Sequence, residues 1–297
     1  MHNFGETQLF LGNYEEALDY LLQAIEQWRT IGDDFGIAAE SYDIGIIRGF
    51  QGNYAAALDA EGDAAQVFVD LGSRDVWRFY TAGQLGIALA EIGRFEAGLA
   101  QLDETDILAE EMQWGTLTAQ SLEWRGQIHA MQDQLGEARS WYERALAAAG
   151  SAEDAKAALS ARLRLAILDV AQGESAGAAA AAIAEMTGEA RRRGLPNVAS
   201  EAELYRAQAL IDAGDVAGAR RQIQSVQRTA ERYSLNPLLA RAHYLLGLAA
   251  AAEGDDAARQ RQFAQAAQLL DQIAADSGDE DPFRRADLAA LREAVTG

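Results

Sequence analysis

Residues 11–25 read LGNYEEALDYLLQAI, a short turn between two helices, and the whole chain repeats it. Turn residues recur at Gly12, Gly52, Gly93, Asp133, Gly173, Gly214 and Gly254, at gaps of 40 or 41 residues. A fixed period in the range of about 20–50 residues marks a solenoid, in which each unit buries its apolar face on its neighbours. The period therefore sets the architecture before any local assignment is made.

Three sets of small residues keep time with the turn. Seven positions before it stand Gly5, Gly45, Gly86, Gly126, Ala166, Ala207 and Gly247. Five positions after it stand Ala17, Ala57, Gly98, Ala138, Ala178 and Ala219; the seventh copy has Arg259 there, beside Ala258. Seven residues further on come Ala24, Ala64, Thr105, Ala145, Glu185, Val226 and Ala266, clean only in copies one, two, four and seven. Two positions after the turn come Tyr14, Tyr54, Phe95 and Leu135, then the weaker plugs Ser175, Val216 and Asp256. Gly inside a helix costs about 1 kcal/mol against Ala. A periodic Gly needs a packing reason, and small residues at matched points let two antiparallel helices cross closely.

This pattern resembles the tetratricopeptide repeat over essentially the whole chain: a small residue in helix A, Gly at the turn, an aromatic two later, and Ala twice in helix B. The usual period is about 34 residues. The longer spacing is similar to repeats in bacterial signalling regulators of the maltose-regulator type and in kinase- or cyclase-linked sensor arrays. The resemblance implies an all-α, right-handed superhelical solenoid of about seven helix-turn-helix units. The register places them at 1–31, 32–72, 73–113, 114–154, 155–194, 195–235 and 236–277, in one domain spanning 1–297. After the acidic stretch SGDEDP, residues 282–295 read as one amphipathic capping helix, with Phe283, Leu288, Leu291 and Val295.

The resemblance also implies a function class. Arrays of this kind are non-enzymatic scaffolds or sensor modules that hold a peptide or protein segment along the concave A helices. Carried over by register, the groove positions are Tyr42 and Ile46, then Tyr80, then Gln120, Glu123 and Gln127. Further along they are Glu201, Leu204 and Gln208, then Arg241 and Tyr244. Amide side chains can bond a peptide backbone, and Tyr adds contact area with a polar tip. Inter-repeat packing is the plainer reading for Ile46 and Leu204. A self-assembling structural adaptor and a small-molecule-sensing regulatory domain are the alternatives.

Composition narrows the classes. The 297 residues include no Cys, which excludes a disulfide framework and thiolate chemistry. No apolar run approaches the roughly 18 residues that span a bilayer, and the N-terminus lacks the basic-then-apolar pattern of a signal peptide. A cytoplasmic protein is the expectation. The net charge is −21 and unevenly spread: residues 1–150 hold 25 acidic residues against 8 Arg. That half also holds 18 of the 23 aromatics, including every Trp. Nucleic acid is excluded as a partner by the want of a basic stripe. An acidic, aromatic wall suits a basic ligand, although charge for solubility explains it equally.

No Walker A, dinucleotide or HExxH motif occurs, and neither does a nucleophile elbow. His2, His129 and His243 fall in different repeats, so no metal or other cofactor is implied. Within repeat three, Val76-Trp77-Arg78-Phe79-Tyr80 puts aromatics on different helix faces, so at least one must leave the core. Repeat five, rich in Ala, gains least from packing, which makes 151–194 the expected soft point. Arg191-Arg192-Arg193 suits a helix C-terminus. The first helix of repeat one is short by register, which implies a missing first turn or a chain that continues upstream.

Overall fold

The computed structural model describes residues 2–173 and 176–297. Its helices form antiparallel pairs: α1 (His2–Leu11) with α2 (Tyr14–Ile31), α3 (Asp34–Gln51) with α4 (Tyr54–Asp70), and α5 (Val76–Glu91) with α6 (Phe95–Met112). Then follow α7 (Gly115–Met131) with α8 (Leu135–Ser151), α9 (Ala155–Ala171) with α10 (Ala176–Arg192), α11 (Pro196–Asp212) with α12 (Val216–Arg232), and α13 (Asn236–Ala252) with α14 (Asp256–Ala275). The fold is an all-α solenoid, with no strand among the described residues.

Each turn closes in the left-handed backbone region, from Gly12 at φ 79° to Gly254 at φ 77°, and Asp133 takes it at φ 60°. A second series ends the B helices: Gly32, Gly72, Gln113, Glu153, Gly194 and Ser234, all at positive φ. Three of these six carry a Cβ in a region that L-residues seldom enter, so Gly marks only half of the series in the sequence.

In four of the helix pairs the crossing differs from the expected meeting of two small residues. Gly86 and Gly98 do face each other directly, each backed by the other's carbonyl. In those four the glycine of helix A faces a larger side chain nine positions after the turn. Leu21 covers Gly5, the Tyr142 ring covers Gly126, and Phe263 covers Gly247. The third small set is buried throughout except in repeat five, Thr105 being held by a 2.7 Å hydrogen bond with Ser121.

Repeat five also departs in register. Ala178 and Glu185 are exposed, while Ala179, Ile183 and Ala190 are buried. One residue more separates Gly173 from Gly194 than separates the matching turn residues elsewhere, so the inward face moves on by one position. Ser175 lies outside the described residues. In repeat three the aromatics divide as their spacing requires. Phe79 is fully buried, Trp77 stacks on Phe68 of the preceding repeat at 6.0 Å, and Tyr80 stays partly open.

Consecutive odd-numbered helices touch along the array and form its inner wall, while each even-numbered helix packs between two of them. The array winds far enough to meet itself. Gly12 abuts Pro196, Gly52 abuts Pro237 and Ile273, and Gly93 abuts Arg284. Across this seam Tyr233 donates to Asn13 at 2.8 Å and meets Tyr14 edge-on, and Arg232 pairs with Glu16 at 2.7 Å. About five repeats therefore complete one superhelical turn, and the turn residues of the first three units seat the last three. Tyr14 and Tyr54 sit on this seam as well as plugging their own helix pairs, a task that Val216 and Asp256 do not share.

The C-terminal segment is not one helix. Pro282–Arg284 forms a 3-10 turn capped by Asp281, Arg285 is extended, and α15 runs from Ala286 to Thr296. The break lets Arg285 reach Tyr54 Oη at 2.9 Å, while Leu288 and Leu291 pack with Tyr54, Ile92 and Leu270.

Gly126→Leu should force the Tyr142 ring aside and cost about 1–3 kcal/mol or more. Gly62→Ala, where a Cβ would meet nothing within 4 Å, should be neutral or stabilise by up to about 1 kcal/mol. Urea unfolding followed by circular dichroism measures both. Equal losses from the two would contradict the packing described.

Candidate functional site

The inner wall carries two electrostatic regimes. From repeat four onward, charges alternate from helix to helix. Glu123 on α7 is buried, accepts from Ser160 at 2.7 Å, and lies 3.8 Å from Arg164 Nε on α9. Arg164 donates to Glu201 on α11 at 2.6 Å. One turn on from Glu201, the Tyr205 ring supports the Arg241 guanidinium of α13 at 3.7 Å. Arg285 then forks onto Asp287 at 2.8 and 3.1 Å. Each of these cations has a counter-charge or a ring within reach, which is how charge is tolerated where solvent is scarce.

At the other end two buried acids have no such partner among the described residues. Asp43 and Glu61 are buried and make no hydrogen bond or ion pair within the described residues, and Asp43 Oδ2 and Glu61 Oε2 are sealed from solvent. Glu40 accepts from the Trp28 indole at 3.0 Å. Burial first, then Glu6 and Glu40, push the Asp43 carboxyl up to about 8. Burial, with Asp43 and Glu91 beside it, drives Glu61 well above the usual carboxylate range. Burial lifts Glu91 to about 7, with Arg285 pulling the other way. Near neutral pH this end therefore holds protons.

The nine candidate groove residues scatter across these surroundings. Tyr42 and Tyr80 come together at 6.3 Å between ring centres, flanked by Trp77 and Trp124, and both stay partly open. Gln120 is half-exposed and has no hydrogen-bond partner among the described residues. Glu123 is buried, and Gln127 bonds back to it at 3.4 Å. Glu201 is taken by Arg164, and Gln208 by Asp212 at 3.1 Å. Arg241 lies on Tyr205, with its Nε buried and unpartnered. Tyr244 stacks on Phe263 at 5.8 Å within its own helix pair. Leu204 is fully buried, as packing predicts.

Register alone did not single out Asp43, Glu61, Glu91, Arg164 or Tyr205. A signal existed for Glu61: it stands nine positions after its turn, where Leu21, Leu102, Tyr142, Ile223 and Phe263 stand in other repeats. A separate opening of about 480 Å3 lies at the seam between superhelical turns. Two of its arginines are engaged, Arg191 by Glu203 and Arg232 by Glu16. The other two residues of the Arg191–193 run pair with Glu189. No described helix is long and apolar enough to cross a membrane, and no described cluster of acids and histidines could hold a metal ion.

The raised carboxyls link stability to pH. A carboxyl whose folded pKa exceeds its unfolded value binds more protons in the folded state, so stability falls as pH rises between the two values. For Asp43 that window runs from the usual 3.8 to about 8. Asp43→Asn should therefore flatten the decline of melting temperature between about pH 5.5 and pH 8.5. An unchanged slope would show that Asp43 ionises freely.

Residues 1–68 match the tetratricopeptide repeat family model. A comparison with curated protein sequences finds no match. Among solved structures, the chain is similar to the crystal structure of a Rap protein complexed with Competence and Sporulation Factor. The TM-score is 0.67 at 14% identity, over 92% of this chain and 74% of that one. At that identity the likeness speaks for the fold alone. Residues 1–68 thus belong to the tetratricopeptide repeat family, and the helix pairs that follow continue its solenoid.

Proposed function

We propose that this chain is a non-enzymatic scaffold or sensor module that takes a peptide or an extended protein segment along its inner wall, as part of a bacterial signalling or regulatory system. One observation carries the reading. Tyr42, Tyr80, Gln120 and Tyr205 keep open surface inside the superhelix, and their polar groups have no hydrogen-bond partner among the described residues. An extended peptide offers a carbonyl and an amide per residue, which these groups can bond, while the rings cover its side chains. The similar solved structure is of a complex with a bound factor, which is consistent with such a use of the fold.

Binding of randomised pentapeptide pools, read by tryptophan fluorescence, tests this. Trp77 and Trp124 both lie within about 6.5 Å of a wall tyrosine. Tyr80→Ala with Gln120→Ala should weaken binding by about tenfold or more and leave the helical content unchanged. Affinity that survives both substitutions places the ligand elsewhere.

A second reading, self-assembly, has its own support. Ile31, Leu71 and Trp114 are 69%, 55% and 52% exposed at the ends of the B helices of the first three repeats. Their counterparts one superhelical turn later, Tyr233 and Leu235, are buried under the first turn. A second copy seated on that edge would give concentration-dependent sedimentation that Ile31→Glu with Leu71→Glu abolishes. A monomer at all concentrations removes this reading.

A further inference from the structure

The ninth position after each turn is the plug that fills the crossing of a helix pair. It is apolar or aromatic in the first, third, fourth, sixth and seventh repeats, and Ile183 serves one place later in the fifth. In the second repeat it is Glu61, 2% exposed, with one carboxylate oxygen unpartnered. A leucine there would pack as Leu21 and Leu102 do. An unpaired buried carboxylate costs stability that an apolar side chain of similar volume does not. Local choices that oppose the fold are most often found at functional sites.

Glu61 is not alone. Its carboxylate lies on the bare backbone of Gly45, where an added Cβ would come within 2.6 Å of Oε1. The Glu91 carboxylate lies in the same way on Gly49, where a Cβ would stand 3.0 Å from Oε2. Gly45 and Gly49 are one helical turn apart on α3, and the Glu91 carboxylate acts on that of Glu61. Asp43, two residues before Gly45, is 6% exposed and also has an unpartnered oxygen. Acids from α3, α4 and α5 thus converge over a floor of two glycines, and the partly open Tyr42 and Glu91 border it. The charged and titratable groups around it are Glu6 of α1, Glu40 and Tyr42 of α3, and Tyr80 of α5. Arg285 acts on Glu91 and is committed to Asp287 and Tyr54.

We propose that Asp43 and Glu61 receive a guanidinium or ammonium group from the segment bound in the inner channel, with Tyr42 and Tyr80 against its aliphatic stem. This deepens the peptide-binding reading above and rests on it. The alternating ladder of repeats four to seven supplies its own counter-charges, whereas Asp43 and Glu61 have none among the described residues, and a ligand's cation completes them. Charge-assisted hydrogen bonds satisfy the two unpartnered carboxylate oxygens, and the rings add cation–π attraction. Protons held by the empty cluster leave as the cation enters, so binding releases protons and tightens as pH rises through neutrality. The described acids do not form a metal-holding group, which leaves an organic cation as the fitting charge.

The test uses the whole chain and four pentapeptide pools, each with a fixed central residue: arginine, lysine, glutamate or norleucine. Arginine amide alone is the fifth probe. The arginine and lysine pools should bind about tenfold or more tighter than the other two, and calorimetry in buffers of different ionisation heat should detect proton release. Glu61→Leu should melt at a higher temperature than the natural protein and yet lose the preference for the cationic pools, which separates the site from mere folding. A Glu61→Leu protein that keeps the preference overturns the proposal. If the norleucine pool binds as well as the arginine pool, the channel stands and the cation site falls. If no pool binds, both fall. If arginine amide alone binds as tightly as its pool, the cation site stands and the peptide reading falls.

Discussion

The structure depends on one steric constraint: two helices must cross closely enough for a side chain at the ninth position to reach the small residue opposite. Wherever that pair is Gly5 with Leu21, Gly126 with Tyr142 or Gly247 with Phe263, the crossing is filled and the unit has a fixed angle. Repeating a fixed angle gives a regular superhelix. Regularity is what brings Gly12 to Pro196 and Gly52 to Pro237 across more than 180 residues of chain. A variable crossing angle would spread those edges apart.

Closure has an electrostatic consequence. Once the first superhelical turn is seated on the second, the A helices enclose an inner wall where water is scarce and charges act on each other strongly. Arg164 between Glu123 and Glu201, and Arg285 on Asp287, balance within that setting. Asp43 and Glu61 do not, and they answer by holding protons. The same burial that strengthens the ladder raises the carboxyls of the acidic end.

Much of the fold was legible in the sequence because turn spacing is a one-dimensional signal. Seven turns at 40 or 41 residues fix the helix pairs, and the small residues fix which faces meet. The extra residue in repeat five hid behind an Ala-rich run in which Ala178 and Ala179 look alike. The second series of left-handed residues was obscured by Gln113, Glu153 and Ser234. The site was less legible. Family register finds which helices line the inner wall, where Tyr42, Tyr80 and Gln120 keep open surface. It cannot tell a side chain that is open from one spent on a neighbour, as Gln208 is on Asp212 and Tyr244 on Phe263. Nor does it ask what a repeat places in its plug position, which is where Glu61 departs from the rest.

The claim on which the channel rests is closure of one superhelical turn on the next. The chain has no Cys, so spin labels can be placed at Glu16→Cys and Arg232→Cys alone, on the seam and 216 residues apart in sequence. Electron–electron resonance should return a single narrow, short distance, unchanged by dilution. A broad distribution extending to long separations would mean an open solenoid, with Asp43 and Glu61 in a solvated groove rather than an enclosed one.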